Sequence, residues 1–173
     1  MEIATARLVL RPFSAGDEEE LVAAADDRRV SIHLLDRFPY PYTFEDAARW
    51  LAHVAAASPP TDLAITLDGR VIGGVGIERW GDVWRFTGEL GYWLGATHWG
   101  RGYASEAVGA FVTHAFARFG LERIEARVFA PNLSSRRVLE KCGFRLEGVM
   151  RRAVLKDRRF LDAAIYARLR DDP

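Results

Sequence analysis

With 173 residues, 49% of them hydrophobic and 12% aromatic, the chain has the size and composition of one globular domain rather than of a disordered polymer. Lys plus Arg and Asp plus Glu balance at 24 each, which excludes a net field drawing the protein to nucleic acid or to an anionic membrane. A single cysteine, Cys142, excludes an internal disulfide framework and an all-cysteine metal site. No apolar run approaches the roughly 20 residues of a membrane span. The first residues, Met1 to Arg7, lack the regions of a secretory signal, so the expected location is cytoplasmic. With no repeat and no linker-like stretch, residues 1–173 are expected to form a single domain.

In chain order, Arg7 to Phe13 alternates charged and apolar residues as a half-buried strand does. Ser14, with Asp17 three residues on, marks a helix start running to about Ala25. An irregular stretch rich in aromatics and proline follows from about Asp26 to Tyr42. Thr43 then caps a second helix with Phe44, Ala47, Ala48, Leu51, Val54 and Ala55 on one face, stopped by Ser58-Pro59-Pro60. Leu63–Leu67 and Arg70–Ile77, joined by Asp68-Gly69, read as a hairpin. A strand from about Phe86 to Leu94 leads through a short turn into Trp99-Gly100-Arg101-Gly102-Tyr103-Ala104-Ser105. Beyond it, Ala104, Ala107, Val108, Phe111, Val112, Ala115 and Phe116 recur at helical spacing until Gly120. Arg123 to Phe129 alternates again, with Ile124, Ala126 and Val128 inward and Arg123, Glu125 and Arg127 outward. Asn132 opens a short helix carrying Val138, Leu139 and Cys142, and Gly143 stops it. Two closing strands, about Phe144 to Arg152 and Phe160 to Leu169, are joined by a charged turn. The expected order is β-α-α-β-β-β-α-β-α-β-β, an α/β (α+β mixed) fold on one mixed sheet of about seven strands.

The chemistry concentrates where the strand ending at Leu94 meets the glycine-rich helix start. Such a junction points several backbone N–H groups and the positive end of a helix dipole at one spot, which suits a diphosphate. Gly-x-Gly alone is a weak signal, because tight turns use glycine for geometry as well. A nucleoside triphosphate loop requires G-x-x-x-x-G-K-[S/T], which is absent. A dinucleotide fold requires a third glycine in register and an acid at the end of the next strand; here that strand ends Val128-Phe129-Ala130, and Glu122 precedes it.

A third diphosphate ligand is coenzyme A, and here the residues resemble a family. Trp99-Gly100-Arg101-Gly102-Tyr103-Ala104 resembles the R/Q-x-x-G-x-G/A acetyl-CoA loop of the GNAT N-acetyltransferase superfamily. Asn132-Leu133-Ser134-Ser135-Arg136-Arg137-Val138-Leu139-Glu140-Lys141-Cys142-Gly143-Phe144 resembles its next block, N-x-x-S-x-R-x-L-E-K-x-G-F. Arg7-Leu8-Val9-Leu10-Arg11-Pro12, the Phe38–Thr43 stretch with Asp46-Ala47, and Asp162 with Tyr166 resemble the branch holding the ribosomal-protein N-terminal (alanine/serine) acetylases. The four blocks fall in order over nearly the whole chain. One position departs: Trp99 stands where most of the superfamily has Arg or Gln, which removes a side-chain contact.

The resemblance implies a GNAT-like sheet, mostly antiparallel, and transfer of acetyl from acetyl-CoA as co-substrate to a primary amine, with no metal. It implies that N–H groups from Trp99 through Gly100, Arg101, Gly102, Tyr103 and Ala104 to Ser105 hold the CoA diphosphate. Tyr92, Trp93 and Leu94 would meet the pantetheine arm, a backbone N–H near Leu94 polarising the acetyl carbonyl. Asn132 is either an N-cap or a cofactor contact. Ser135 is either a cap residue or an acid for the leaving thiolate, and Arg137 either a CoA phosphate contact or a solvated arginine. Glu89 is the only carboxylate in the strand leading to the junction and shares a face with Gly91 and Trp93. It would serve as base, directly or through water, or as an ion-pair partner of Arg123 or Arg127. His33, His53, His98 and His114 show no metal spacing, and Cys142 reads as core.

An α-amine has a pKa of about 7.7–8.0, against about 10.4 for lysine, so deprotonating a lysine costs roughly 3 kcal/mol more. A weak or water-relayed base therefore suits a protein or peptide N-terminus. A small-molecule amine (a polyamine, an aminoglycoside or an amino-acid analogue) and a non-catalytic CoA-binding module remain the alternatives. Residues His33 to Tyr42 would form one wall of the acceptor groove, with Asp26, Asp27 and Asp36 attracting a cation. Branch members often form dimers, which makes a homodimer an open expectation.

Overall fold

A computed structural model describes residues 2–172. Its strands are β1 (Ile3–Ala4), β2 (Val9–Pro12), β3 (Asp62–Leu67), β4 (Arg70–Arg79), β5 (Thr87–Leu94), β6 (Arg123–Phe129), β7 (Arg145–Lys156) and β8 (Arg159–Leu169). Its helices are α1 (Glu18–Ala25), α2 (Arg28–Ser31), α3 (Phe44–Ala55), α4 (Tyr103–Phe119) and α5 (Leu133–Lys141), with single 3-10 turns at Asp82–Trp84 and Ala96–His98. The strands form one sheet in the order β1-β2-β3-β4-β5-β6-β8-β7. It is mostly antiparallel, with β5 and β6 parallel. The mixed α/β fold is as expected, with one strand and one helix more. Both extra elements, β1 and α2, are too short to show a period.

The described residues gather into two compact units. The first is the chain up to Gly76 with Tyr92–Ala107; the second is Ile77–Gly91 with the chain from Val108 onward. β4, β5 and α4 each run unbroken from one unit into the other.

In the first unit, β3 and β4 turn through Asp68 and Gly69, both at positive φ (50° and 81°), the two-residue geometry that matches strand twist. Leu21 and Ala25 of α1 pack with Ala47 and Leu51 of α3, Tyr42, Ala64 and Val71. Phe13, Val22, Phe38, Trp50 and Trp93 cover that cluster. Each large aliphatic side chain so buried contributes roughly 2 kcal/mol. Thr43 caps α3 as expected, its hydroxyl accepting from the Asp46 N–H (3.2 Å) while Asp46 accepts from the Thr43 N–H (2.8 Å). The buried stripe is narrower than expected: Ala47, Leu51 and Val54 are inside, whereas Phe44, Ala48 and Ala55 are exposed.

Helix α1 begins at Glu18 rather than near Ser14. Asp17 holds a bidentate pair with Arg11 (both 2.8 Å) and accepts from the Ser14 N–H (2.9 Å), which closes residues 14–17 into a turn. β2 begins at Val9 rather than Arg7, because Arg7 is drawn toward Glu106.

In the second unit, Ile124, Ala126 and Val128 of β6 are buried with Leu139, Phe144, Ala164 and Tyr166. The expected alternation fails at Glu125, which is buried at 7% exposure. Arg123 and Arg127 reach it at 2.9 and 3.1 Å, so two charge-assisted bonds offset its loss of water. β7 runs four residues past Arg152 to a turn at Asp157 and Arg158.

Candidate active site

At its far end β5 carries Tyr92, Trp93 and Leu94, held tightly from below. Gly73 of β4 lies so close that a Cβ there would come within 2.2 Å of the Trp93 carbonyl oxygen. Glycine is thus required for the backbones to approach at all. Gly95 donates its N–H to the Ile72 carbonyl (2.9 Å), and Phe38 packs edge-on against Trp93 at 5.2 Å. The chain leaves the strand through the Ala96–His98 turn, and the Trp99 indole reaches back to donate to the Leu94 carbonyl at 2.8 Å. Where most of the superfamily would place a side-chain donor for the ligand, this chain places a brace across its own turn. The Trp99 N–H bonds to the Ala96 carbonyl (3.3 Å), so the amides after it are the stronger donor candidates.

Gly100 and Gly102 both lie in the left-handed region, at φ +74° and +82°. Neither position admits a Cβ without strain. At the start of α4 the Glu106 N–H bonds to the Gly102 carbonyl (3.1 Å), and the amides of Tyr103 and Ala104 precede it in the first turn. The Arg101 side chain is exposed.

Three residues around this turn escape the sequence reading. Arg7 donates from Nη1 to the Arg101 carbonyl (2.9 Å) and from Nε to Glu106 Oε2 (2.8 Å), and its guanidinium lies 4.5 Å from the centre of the Tyr103 ring. Thr5 donates to Glu106 Oε1 at 2.6 Å. Burial alone would push the Glu106 carboxyl up, but its bonds from Thr5 and Arg7 outweigh that and hold it below the usual carboxylate range. Nothing local signals these contacts, since Arg7 and Glu106 stand 99 residues apart.

Burial lowers the pKa of His98, and the charge of Arg101 adds to this. Burial likewise lowers His33, whose ring lies 6.4 Å from that of Trp99. In the stretch from His33 to Tyr42, Leu35 and Tyr40 are exposed, while Phe38 and Tyr42 pack together at 5.0 Å. The acids near it have structural partners. Asp26 accepts from the Tyr42 N–H (2.9 Å), and Asp27 caps α2 while pairing with Arg29.

The remaining sequence candidates belong to the second unit. Glu89 of β5 stands in register with Glu125 of β6. Its Oε2 is 3.9 Å from Arg127 Nε, which lies nearer to Glu125, and about a third of the Glu89 side chain is exposed (32%). Arg123 turns instead to Glu147 (2.6 Å) and Glu125 (2.9 Å). Asn132 is the N-cap of α5, its Oδ1 accepting from the Ser135 N–H at 3.1 Å. Arg137 is exposed on α5. Its neighbour Arg136 donates to the Tyr166 hydroxyl (3.0 Å), which donates in turn to Glu140 (2.8 Å). Cys142 is buried, and burial raises its thiol pKa. Among the described residues no cluster of three His, Cys, Asp or Glu side chains could hold a metal ion. No helix among them is long and apolar enough to cross a membrane.

A strand end braced by its own tryptophan, then two left-handed glycines opening a 17-residue helix, can hold an anion on backbone amides alone. A model of the acetyltransferase (GNAT) domain matches residues 7–145. The chain therefore belongs to the GNAT family and is an enzyme, an N-acetyltransferase. Over 94% of its length it is 28% identical to the uncharacterized N-acetyltransferase YoaA of Bacillus subtilis, covering 93% of that protein. It is 36% identical to the ribosomal-protein-serine acetyltransferase of Escherichia coli over 86 residues, 49% of this chain and 48% of that one. The structure of Mycobacterium smegmatis RimJ in complex with CoA-disulfide superposes with a TM-score of 0.85 at 25% identity, covering 99% of this chain and 87% of that one. The resemblance carried by the four sequence blocks is thereby borne out, together with neighbours among the ribosomal-protein acetyltransferases.

Proposed function

We propose that this enzyme moves the acetyl group of acetyl-CoA to the α-amine at the N-terminus of a protein or peptide. The observation that carries the cofactor reading is the paired left-handed geometry of Gly100 and Gly102 at the start of α4. It suits backbone N–H groups from Gly100 to Ser105 to a diphosphate. RimJ, solved with CoA-disulfide, shares the fold. Arg101 adds charge at the surface. Tyr92, Trp93 and Leu94 present strand backbone to the pantetheine arm. Asn132, Ser135 and Arg137 take the roles that the family block implies, Asn132 while also capping α5.

The acceptor attacks as a neutral amine: its nitrogen bonds to the acetyl carbon, the carbon–sulfur bond breaks, and the amine's proton leaves for a base. Glu89 is that base, directly or through one water, and Ser135 supplies the proton to the departing sulfur. Glu89 stands 3.9 Å from Arg127, which it shares with Glu125, and an α-amine, already about a tenth neutral at pH 7, does not demand a strong base. The similarity to a ribosomal-protein-serine acetyltransferase supports the same acceptor class.

The chain acts as a single domain, a reading supported by three elements that pass unbroken through both compact units. It is expected in the cytoplasm, a dimer being the assembly to look for by sedimentation. One unfolding transition, coincident by far-UV signal and tryptophan fluorescence, is the expected outcome; two separated transitions would divide the chain.

The deciding experiment is calorimetric titration with acetyl-CoA, followed by turnover on peptides of varied first residue and on a panel of small amines. Turnover on peptides alone supports the proposal. Turnover on small amines alone moves the acceptor to that class, and failure of a folded sample to bind acetyl-CoA removes the cofactor reading. Glu89→Gln is expected to lower kcat by about 100-fold or more in a protein that still binds acetyl-CoA. An unchanged kcat would take the base role from Glu89.

A further inference from the structure

We infer that Arg7 is a positioning residue for the turn at Gly100–Gly102, keeping the Glu106 carboxylate from opposing an anion bound there. This rests on the reading of that turn as the diphosphate seat. Glu106 stands in the first turn of α4, where a carboxylate is attracted by the same exposed N–H groups that an anionic ligand needs. It is turned away from them. Its Oε1 accepts from the Thr5 hydroxyl (2.6 Å) and the Arg7 N–H (2.8 Å). Its Oε2 accepts from Arg7 Nε (2.8 Å) and lies 2.7 Å from Nη2.

The same guanidinium donates from Nη1 to the Arg101 carbonyl at 2.9 Å. Three of the guanidinium's five N–H groups are thus engaged by the turn and its helix. Residues 5–8 present it: the Thr5 N–H bonds to the Leu8 carbonyl (2.9 Å), and the Thr5 hydroxyl accepts from the Leu8 N–H (3.0 Å). That tight turn joins β1 to β2, which gives the two-residue strand β1 a purpose. Without the Arg7 side chain, Glu106 would keep its bonds from the Thr5 hydroxyl and the residue-7 N–H but would lose its countercharge, leaving a net negative charge beside the donors. With it, the pair is neutral and the amides keep their positive field.

The test uses the full chain, with acetyl-CoA affinity by calorimetry and a thermal midpoint for each variant. Arg7→Met is expected to weaken acetyl-CoA binding by about tenfold or more, raising KM for acetyl-CoA while leaving kcat and the amine KM near wild type. Glu106→Gln is expected to bind at least as tightly as wild type. The double variant Arg7→Met/Glu106→Gln is expected to recover most of the loss, although it carries no more packing than Arg7→Met. Arg7→Gln, made in parallel, stands in if Arg7→Met does not fold. A folded Arg7→Met within about twofold of wild type, a double variant as weak as Arg7→Met, or a folded Glu106→Gln that binds more weakly would overturn the inference. If neither Arg7 variant folds, Glu106→Gln alone decides it. Wild type that fails to bind acetyl-CoA would instead remove the reading of the turn itself, and the two failures are therefore distinct.

Discussion

Helices α4 and α5 begin in opposite ways. α5 begins closed on itself: Asn132 lends its side-chain oxygen to the Ser135 N–H, and one of the four orphan donors is satisfied within the chain. α4 begins at Tyr103, directly after Gly102, which has no side chain to lend, and a second left-handed glycine stands two residues before that. The acid in α4's first turn, Glu106, is bonded to Thr5 and Arg7 instead of to its own helix start. α1 adds a third case, in which the N-cap residue Asp17 makes no capping bond because Arg11 and Ser14 hold its carboxylate. The three starts thus differ in what meets their first amides: a side chain of the helix itself at α5, none at the two glycines of α4, and at α1 an acid held by residues outside the helix.

Three substitutions break or sharpen that contrast, from the largest expected effect to the smallest. Gly100→Val with Gly102→Val forces two β-branched residues into the left-handed region, at about 1–2 kcal/mol each. Acetyl-CoA affinity should fall by more than about 100-fold in a protein that still folds, as read by calorimetry and far-UV signal. Undiminished affinity would make α4's start an ordinary joint.

Arg11→Met strips the partner from Asp17 at the start of α1 and should cost roughly 3 kcal/mol in a denaturant titration, with acetyl-CoA affinity kept. Burial alone would push the Asp17 carboxyl up, but the hydrogen bonds from Arg11 and Ser14 prevail and hold it below its usual 3.8. A depressed folded pKa stabilises the fold above the unfolded value, and that stability is lost as pH falls through the folded one. The wild type should therefore lose stability below about pH 4, and Arg11→Met should flatten that acid limb.

Asn132→Ala removes the α5 cap and should cost about 1 kcal/mol of stability. If Asn132 is only a cap, acetyl-CoA affinity stays within about threefold of wild type. A larger loss would assign it to the ligand as well, and α5's start would then resemble α4's.

The long periodic elements are legible in the sequence. The Thr43 capping box, the Asp68-Gly69 hairpin, the α4 stripe from Ala107 to Phe116 and the glycine junction all depend on residues within a few positions of one another. Short elements are not legible, because one turn of α2 or two residues of β1 cannot display a period. Alternation misplaces Glu125, since the pattern assumes that a charge faces water and cannot see two arginines arriving beside it. The ring of contacts around the Gly100–Gly102 turn is invisible for the same reason. Thr5 and Arg7 meet Glu106 across about a hundred residues, and nothing near either end announces the other.

By itself the sequence determined much of the local geometry: the glycine turns at Asp68-Gly69 and Gly100–Gly102, the caps of α3 and α5 though not the start of α1, and through its ordered blocks the family. Tertiary structure alone decided the pairing of charges. It set Arg7 against Glu106, Arg11 against Asp17 and Arg127 between Glu125 and Glu89. Backbone preference is a property of neighbours along the chain, whereas the partner of a charge is whatever the fold brings within a few ångströms of it.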